Sequence, residues 1–341
     1  MKIRKAVKNF EPYDPGAREA EIRMDKNESP FPLPGKLKRK VMTELEKLTI
    51  NRYPQSSGDN LRERLAEFHG IARENIVVGS GSDQLISFST GLFAGRHAVI
   101  TPPTFSMYRF YSEFNGLNVV QVPLGKNFEL KLEEVKEKLS DAAVVFLCSP
   151  NNPTGNTFSR TKILDILETG VPLILDEAYG EFADESNLDL IEEFENLIVL
   201  RTFSKAFGLA GARVGYAVGA SSTMEYLLRI KPPYNLNSFS QRIAELLLDN
   251  YELIRERVSL LVAERDKLYR RFEAYAYPSQ GNFLLMDLDA ADYLLERGIS
   301  VRSFRGRLSD KIRVTIASRQ ENEKFSRHLS DYIERFRRTT G

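Results

Sequence analysis

The chain contains 341 residues, of which 42% are hydrophobic and 28% are charged, and its formal net charge is +1 at pH 7. This length is enough to bury a large core, and the balanced charge argues against a nucleic acid or another polyanionic partner. The single cysteine excludes an internal disulfide, and the three histidines give no spacing typical of a metal site, so we expect no bound metal. Neither a secretory leader nor a run of about 18 apolar residues occurs, from which we predict a cytoplasmic protein.

The N-terminal segment, residues 1–34, is rich in charge and proline, and we interpret it as an irregular arm. Apolar residues at helical spacing then predict two helices, at 35–48 and 59–68. Further along, strand-like and helical runs alternate, which is typical of a mainly parallel sheet with helices on both faces. The predicted strands are 75–79, 97–101, 118–123, 143–148, 171–176, 197–203 and 213–219. The helices predicted between them include 82–94, 104–114, 131–139 and 159–168.

The pattern changes after Pro232 and Pro233, where a long helical region, 238–274, is predicted. It is followed by the predicted strands 282–287, 299–303 and 311–317 and the predicted helices 289–297 and 320–337. We therefore expect a large domain of residues 51–233 and a smaller α+β domain that combines 35–50 with 234–341.

Three chemically active side chains lie at or just after the end of a predicted strand: Asp176 ends one, and Asn152 and Lys205 each follow another. Ligands bind beyond the carboxyl ends of parallel strands, so these side chains should meet at one edge of the sheet. A lysine amine can form a Schiff base with an aldehyde, and a buried aspartate can hold a protonated pyridine nitrogen. This combination favours pyridoxal phosphate as the cofactor. Taken singly, each residue has a plainer explanation: a turn asparagine, a helix-capping aspartate and a surface lysine.

Neighbouring residues suit the phosphate of such a cofactor. The segment from Gly79 to Gln84 leads a strand into a helix, whose first backbone N–H groups can bind a phosphate. It only half matches the dinucleotide fingerprint, because Gln84 stands where a third glycine is required, and this disfavours a nicotinamide cofactor. Thr202 and Ser204 offer hydroxyl groups, and Arg213 offers a guanidinium fork for phosphate oxygens.

In this order, the motifs resemble those of the fold-type I pyridoxal-phosphate aminotransferases over nearly the whole chain. Each motif is weak by itself, whereas the ordered set is specific. The shared motifs are Asp25-Lys26-Asn27-Glu28-Ser29-Pro30, Arg52-Tyr53-Pro54, Gly81-Ser82-Asp83, Asn151-Asn152-Pro153-Thr154-Gly155, Asp176-Glu177-Ala178-Tyr179, Arg201-Thr202-Phe203-Ser204-Lys205-Ala206-Phe207, Gly281-Asn282-Phe283 and Val301-Arg302-Ser303-Phe304. The resemblance implies an α/β fold with a mainly parallel, mixed seven-stranded sheet, a smaller α+β domain and an N-terminal arm.

The resemblance also implies a role for each residue of the cofactor site. Lys205 would be covalently linked to the cofactor's aldehyde carbon and would then move a proton between substrate and cofactor. Asp176 would pair with the pyridinium nitrogen. The ring would be bound by Asn152 and Tyr179 at its oxygen and by Phe105 on its face. The phosphate would be bound by Ser82, Asp83, Thr202, Ser204 and Arg213, and by the partner subunit's Tyr53, so the resemblance implies a homodimer.

For the substrate, the resemblance implies contacts with Tyr13, Asn27, Glu28, Arg302 and Arg313. Two guanidinium groups suit a substrate phosphate, and Arg313 alone suits the α-carboxylate of glutamate. The implied activity, in histidine biosynthesis, is amino transfer between L-histidinol phosphate and 2-oxoglutarate, which yields imidazole acetol phosphate and L-glutamate. The alternatives are a threonine-phosphate decarboxylase or an aromatic amino-acid aminotransferase of the same fold and, more distantly, a pyridoxal-phosphate-binding regulatory protein.

Overall fold

The computed structural model describes residues 2–3, 7–8, 10–11 and 19–339, which contain two β-sheets and their surrounding helices. The strands are β1 (Ile22–Met24), β2 (Ile76–Ser80), β3 (His97–Ile100), β4 (Asn118–Gln121), β5 (Ala142–Cys148), β6 (Leu173–Asp176), β7 (Leu197–Thr202), β8 (Val214–Gly219), β9 (Phe283–Met286), β10 (Ile299–Ser303) and β11 (Ile312–Thr315). The helices are α1 (Gly35–Glu46), α2 (Asp59–His69), α3 (Gly81–Thr90), α4 (Met107–Phe114), α5 (Leu132–Lys136), α6 (Arg160–Leu167), α7 (Ser221–Ile230), α8 (Ser238–Leu248), α9 (Tyr251–Arg271), α10 (Ala291–Leu295) and α11 (Arg319–Thr339). Within the described ranges, no helix has both the length and the apolar character that a membrane span needs.

The larger sheet has seven strands in the order β2, β8, β7, β6, β5, β3, β4. β8 runs antiparallel to both of its neighbours, β2 and β7, and all other pairings are parallel, so the predicted fold class, with a mixed and mainly parallel sheet, is confirmed. Successive residues of β5 point to opposite faces, since Val145 and Leu147 enter one apolar core while Val144 and Phe146 enter another. The burial of both faces explains why this strand is a continuous apolar run in the sequence.

The smaller sheet has the order β1, β10, β11, β9, and it corrects the interpretation of residues 1–34 as irregular throughout. Ile22 pairs with Ile299 and Met24 pairs with Val301 in a parallel ladder between β1 and β10. A strand of three residues is too short to display an alternating pattern. It is stabilised by a partner strand 277 positions away along the chain, the separation between Ile22 and Ile299.

The helical region predicted at 238–274 consists of two helices, α8 and α9. Asn250 leaves the helical conformation, with φ −120° and ψ 33°, and its N–H bonds to the carbonyl of Leu247 at 3.1 Å. The apolar periodicity continues across this break, so the pattern alone predicts one helix. The helix α7 was not predicted, because only Met224 and Leu227 are buried along it.

Candidate active site

The carboxyl ends of β5, β6 and β7 open into a cavity of about 1510 Å³, whose wall also includes residues of β10 and β11 from the smaller sheet. This is the edge of the sheet at which parallel α/β folds bind their ligands. The sequence-predicted residues that line the cavity are Asn27, Ser82, Asp83, Phe105, Asn152, Asp176, Tyr179, Thr202, Ser204, Lys205, Arg213, Arg302 and Arg313.

Lys205 follows β7 and presents its amine to the cavity. Its Nζ donates a hydrogen bond to the backbone oxygen of Lys26 at 2.9 Å and lies 5.7 Å from the centre of the Tyr179 ring. The surrounding protein displaces water from the amine and Arg313 repels its charge, which lowers the pKa of Lys205 to about 8. The amine is therefore half deprotonated near pH 8, well below the pH at which an ordinary lysine loses its proton, and its neutral form is the one that a nucleophile or a general base requires.

Asp176, the last residue of β6, is 3% exposed and accepts hydrogen bonds from two uncharged donors. Its Oδ2 accepts a hydrogen bond from the Tyr108 hydroxyl at 2.6 Å, and its Oδ1 accepts one from the Ala178 N–H at 3.0 Å. Burial raises the pKa of Asp176 to about 6, although both hydrogen bonds oppose the shift. A cation placed in the cavity beside this carboxylate would stabilise its ionised form.

Asn152 and Tyr179 are each held by a residue predicted to bind substrate. The Asn27 amide donates to the Tyr179 hydroxyl at 2.9 Å, and Arg313 donates to Oδ1 of Asn152. The second guanidinium nitrogen of Arg313 donates to the carbonyl of Asp25 at 2.6 Å. Burial raises the pKa of Tyr179, so its hydroxyl keeps a proton that can be donated to an acceptor in the cavity.

The first turn of α3 packs tightly against Arg213. Gly81 has φ +76°, which strains any residue with a side chain, and a Cβ at this position would lie 2.5 Å from Nη2 of Arg213 and displace it. Arg213 donates to Oδ2 of Asp83 at 2.9 Å and to Oγ of Ser204 at 3.4 Å, and the Ser204 N–H bonds to Thr202 at 3.1 Å. A helix N-terminus, a guanidinium and two hydroxyl groups thus converge as they do in phosphate sites.

The smaller sheet contributes cationic side chains to the lining of the cavity. Arg302 on β10 lies directly across the antiparallel ladder from Arg313 on β11, so the two side chains project from the same face. Arg305 and Arg307 also line the cavity. Four arginines from this part of the chain among the lining residues favour an anionic substrate.

The remaining predicted site residues are Tyr13, Glu28 and Tyr53. Tyr13 lies outside the described residues. Glu28 is not among the residues that line the cavity, and it pairs with Arg23 at 3.2 Å near the surface. Tyr53 is 82% exposed and stacks on Tyr234 with ring centroids 4.5 Å apart, away from the cavity of its own chain.

Tyr108, the partner of Asp176, was not predicted from the sequence. Its ring is fully buried and stacks on Phe146 at 4.8 Å, which fixes the hydroxyl against the carboxylate. The available signal was weak: Tyr108 follows Phe105 by one helical turn at the start of α4, and a tyrosine in such a helix is usually a core residue.

A buried ion-pair network behind the site was also missed. Arg201 on β7 donates to Glu177 at 2.7 Å and to Glu181 at 3.0 Å, and all three side chains are at most 7% exposed. Glu177 directly follows Asp176, so the network joins the strand before Lys205 to the turn that holds the carboxylate. Arg201 and Glu177 both stand in motifs recognised from the sequence, but no pattern indicated that their side chains pair.

The donor set fits the pyridoxal phosphate predicted from the sequence. Asp176 offers a buried carboxylate for a ring cation, Lys205 offers an amine that deprotonates near neutral pH, and the start of α3 with Arg213 offers donors for a phosphate. Phe105 lies in the cavity wall, in a T-shaped contact with Tyr108 whose ring centroids are 5.6 Å apart, and an aromatic ring at this place can stack on a flat cofactor ring.

Comparison with known proteins gives consistent results. Residues 19–329 match the family model described as aminotransferase class I and II. The chain is 46% identical over 331 residues to a histidinol-phosphate aminotransferase from Pyrococcus furiosus, which covers 97% of this chain and 98% of the relative.

Solved structures share the fold. A histidinol-phosphate aminotransferase from Sinorhizobium meliloti, solved in complex with pyridoxal-5'-phosphate, superposes with a TM-score of 0.89 at 24% identity and covers 98% of each chain. An L-threonine-O-3-phosphate decarboxylase from Porphyromonas gingivalis superposes with a TM-score of 0.81 at 22% identity, covering 92% of this chain and 99% of its own. The fold alone therefore does not separate these two activities.

Proposed function

The chain belongs to the class I and II aminotransferase family, and on this premise we propose that it transfers an amino group between L-histidinol phosphate and 2-oxoglutarate, with pyridoxal phosphate as its cofactor. The observation that carries the proposal is that the amine of Lys205 shares one cavity with Arg302 and Arg313, which lie opposite each other in the ladder between β10 and β11. The amine suits the aldehyde of the cofactor, and the guanidinium groups suit the phosphate and carboxylates of the substrates. The name and near-complete match of the Pyrococcus furiosus relative support the same substrate, and with it a role in histidine biosynthesis and a cytoplasmic location.

The residues of the chain divide the work of this reaction. When bound, pyridoxal phosphate supplies an aldehyde that takes up the amino group and a ring that stabilises negative charge at the substrate's α-carbon. Lys205 can accept the α-proton at Nζ and return it, since its pKa of about 8 allows both states near neutral pH. Asp176 would hold a proton at the ring nitrogen, and Asn152 and Tyr179 would orient the ring through its oxygen.

Arg302 and Arg313 orient the substrate. Histidinol phosphate brings a phosphate and no carboxylate, whereas glutamate brings two carboxylates, so both substrates of a ping-pong cycle can use the same cationic wall. Asn27 acts on this site through the Tyr179 hydroxyl, to which it donates at 2.9 Å. We include Tyr13 and Glu28 in the proposal as residues that close over the substrate.

A spectral assay tests the choice of substrate. The purified protein loaded with pyridoxal phosphate is mixed separately with histidinol phosphate, threonine phosphate and phenylalanine. We expect rapid conversion to the pyridoxamine form with histidinol phosphate. Conversion with phenylalanine alone would reject the assignment, and release of carbon dioxide from threonine phosphate would favour the decarboxylase.

The rate at which the cofactor-free protein captures pyridoxal phosphate should rise with pH and reach half its maximum near pH 8. The neutral amine is the nucleophile, and the pKa of Lys205 is lowered from 10.5 to about 8, so below that pH the rate should fall about tenfold per unit. Asp176, with a pKa of about 6, stays mostly ionised above about pH 7, so its own titration affects the profile only at lower pH. Stopped-flow absorbance at a series of pH values measures the profile, and a midpoint near the ordinary lysine value would contradict it.

We further propose that the protein is a homodimer in which the partner subunit's Tyr53 completes each phosphate site. The proposal is supported by the exposed stack of Tyr53 on Tyr234, an apolar surface suited to a second copy of the chain. Tyr53→Ala and Lys205→Ala homodimers should both be severely impaired. Mixed dimers should regain one complete site, in the subunit that keeps Lys205 and faces an intact Tyr53, and reach up to about half the parent activity per dimer. Mixed dimers with no more activity than the two homodimers would contradict this arrangement.

A further inference from the structure

A network of hydrogen-bonded polar side chains begins at Lys231 and takes no part in the mechanism above. Lys231 is 7% exposed, and its Nζ donates to the backbone oxygens of Ser56 and Pro232 at 2.9 and 3.1 Å and to Oδ1 of Asn235 at 2.8 Å. These three bonds use every donor of the ammonium group. A buried charge must be bonded in this way to be tolerated, so Lys231 fixes the orientation of the Asn235 amide.

Asn235 links Lys231 to the start of α3 through hydrogen bonds. Since Lys231 holds its oxygen, its Nδ2 faces Gln84 and donates to Oε1 at 2.6 Å, and it also donates to the Val78 carbonyl at 3.2 Å. The same Oε1 of Gln84 accepts the Ser80 N–H at 2.9 Å. Ser80 directly precedes α3, so Gln84 closes the first helical turn onto the end of β2.

The first turn of α3 packs directly against the backbone of β8. A Cβ on Gly215 would lie 2.4 Å from the backbone nitrogen of Ser82, so the two backbones can approach this closely only because Gly215 has no side chain. The backbone N–H groups of this turn, together with Arg213, are the donors assigned to the cofactor phosphate. A rotation of the turn would therefore misdirect these donors.

We propose that Lys231, Asn235 and Gln84 are positioning residues that hold the first turn of α3 in the orientation that binds the cofactor phosphate. This inference rests on the proposed function, because it assumes that α3 binds that phosphate. None of the three side chains lines the cavity described above, so each acts through the backbone of α3.

Binding of two ligands to the cofactor-free protein tests this role. Pyridoxal phosphate and pyridoxal share the aldehyde and the ring and differ in the phosphate, and their dissociation constants can be measured by absorbance titration. In Gln84→Leu, which removes the acceptor shared by Ser80 and Asn235, we expect the dissociation constant for pyridoxal phosphate to rise about tenfold. The constant for pyridoxal should stay unchanged, because only the phosphate contacts are disturbed.

Lys231→Met is a second variant, with its substitution outside α3. It should also raise the dissociation constant for pyridoxal phosphate and leave the constant for pyridoxal unchanged, so the test does not depend on whether Gln84→Leu folds. Lys162→Met is the matched control, because Lys162 also donates to a backbone carbonyl, that of Leu130 at 2.8 Å, but lies on α6. It should change neither constant. The proposal would be overturned if pyridoxal phosphate and pyridoxal lost affinity equally. It would also be overturned if neither Gln84→Leu nor Lys231→Met changed the dissociation constant for pyridoxal phosphate. Failure of the parent protein to bind pyridoxal phosphate would instead reject the proposed function, and this inference with it.

Discussion

Replacing Lys205 with alanine should lower the rate of amino transfer by at least about a thousandfold, because it removes both the nucleophile and the group that moves the α-proton. Asp176, Arg213 and the start of α3 remain, so the variant should still bind pyridoxal phosphate without a covalent bond. Single-turnover kinetics with histidinol phosphate measure the loss. Borohydride reduction followed by peptide mapping should label Lys205 in the parent protein and leave the variant unlabelled.

Two further variants separate nucleophilicity from charge. Lys205→Arg keeps a positive charge but cannot deprotonate, so it should be as inactive as Lys205→Ala. Lys26→Ala removes another lysine side chain of the cavity wall and leaves the backbone oxygen that accepts from Lys205, so covalent attachment should persist. Activity of Lys205→Ala within about tenfold of the parent, or a label on Lys26, would show that the nucleophile is placed wrongly.

Replacing Arg201 with methionine should destabilise the protein by about 3–5 kcal/mol, because two buried carboxylates, Glu177 and Glu181, lose their shared cation. Burial already raises the pKa of Glu181. A carboxyl group without its cation binds a proton more readily, so the loss of stability should be larger at pH 8 than at pH 5. Urea denaturation of the cofactor-free protein at both pH values measures the effect.

An exposed ion pair provides the control for this experiment. Arg160 pairs with Asp189 on the surface, where the two side chains are 37% and 63% exposed, and Arg160→Met should cost at most about 1 kcal/mol. Adding Glu181→Gln to Arg201→Met should recover part of the loss, because one unpaired charge is removed. Arg201→Met with the stability of Arg160→Met would mean that the buried network contributes little.

The framework of the fold could be predicted because it depends on local patterns. Apolar runs such as β5 and β7, alternating with helical stretches, predict a parallel sheet, and the rule that ligands bind at strand ends then directs attention to Asn152, Asp176 and Lys205. The side chains that complete the site were harder to predict. The bonds from Tyr108 to Asp176 and from Asn27 to Tyr179 join residues 68 and 152 positions apart, and neither pair has a pattern in the sequence.

By itself, the sequence determined the alternation of strands and helices, the residue types at the strand ends and the order of the motifs, since each of these is a property of neighbouring residues. Only the tertiary structure decided that Ile22 begins a strand, that Arg302 and Arg313 face each other, and that Lys231 reaches α3 through Asn235. The physical reason is that such contacts form when distant segments pack together, and their energy depends on burial and geometry that a local pattern does not contain.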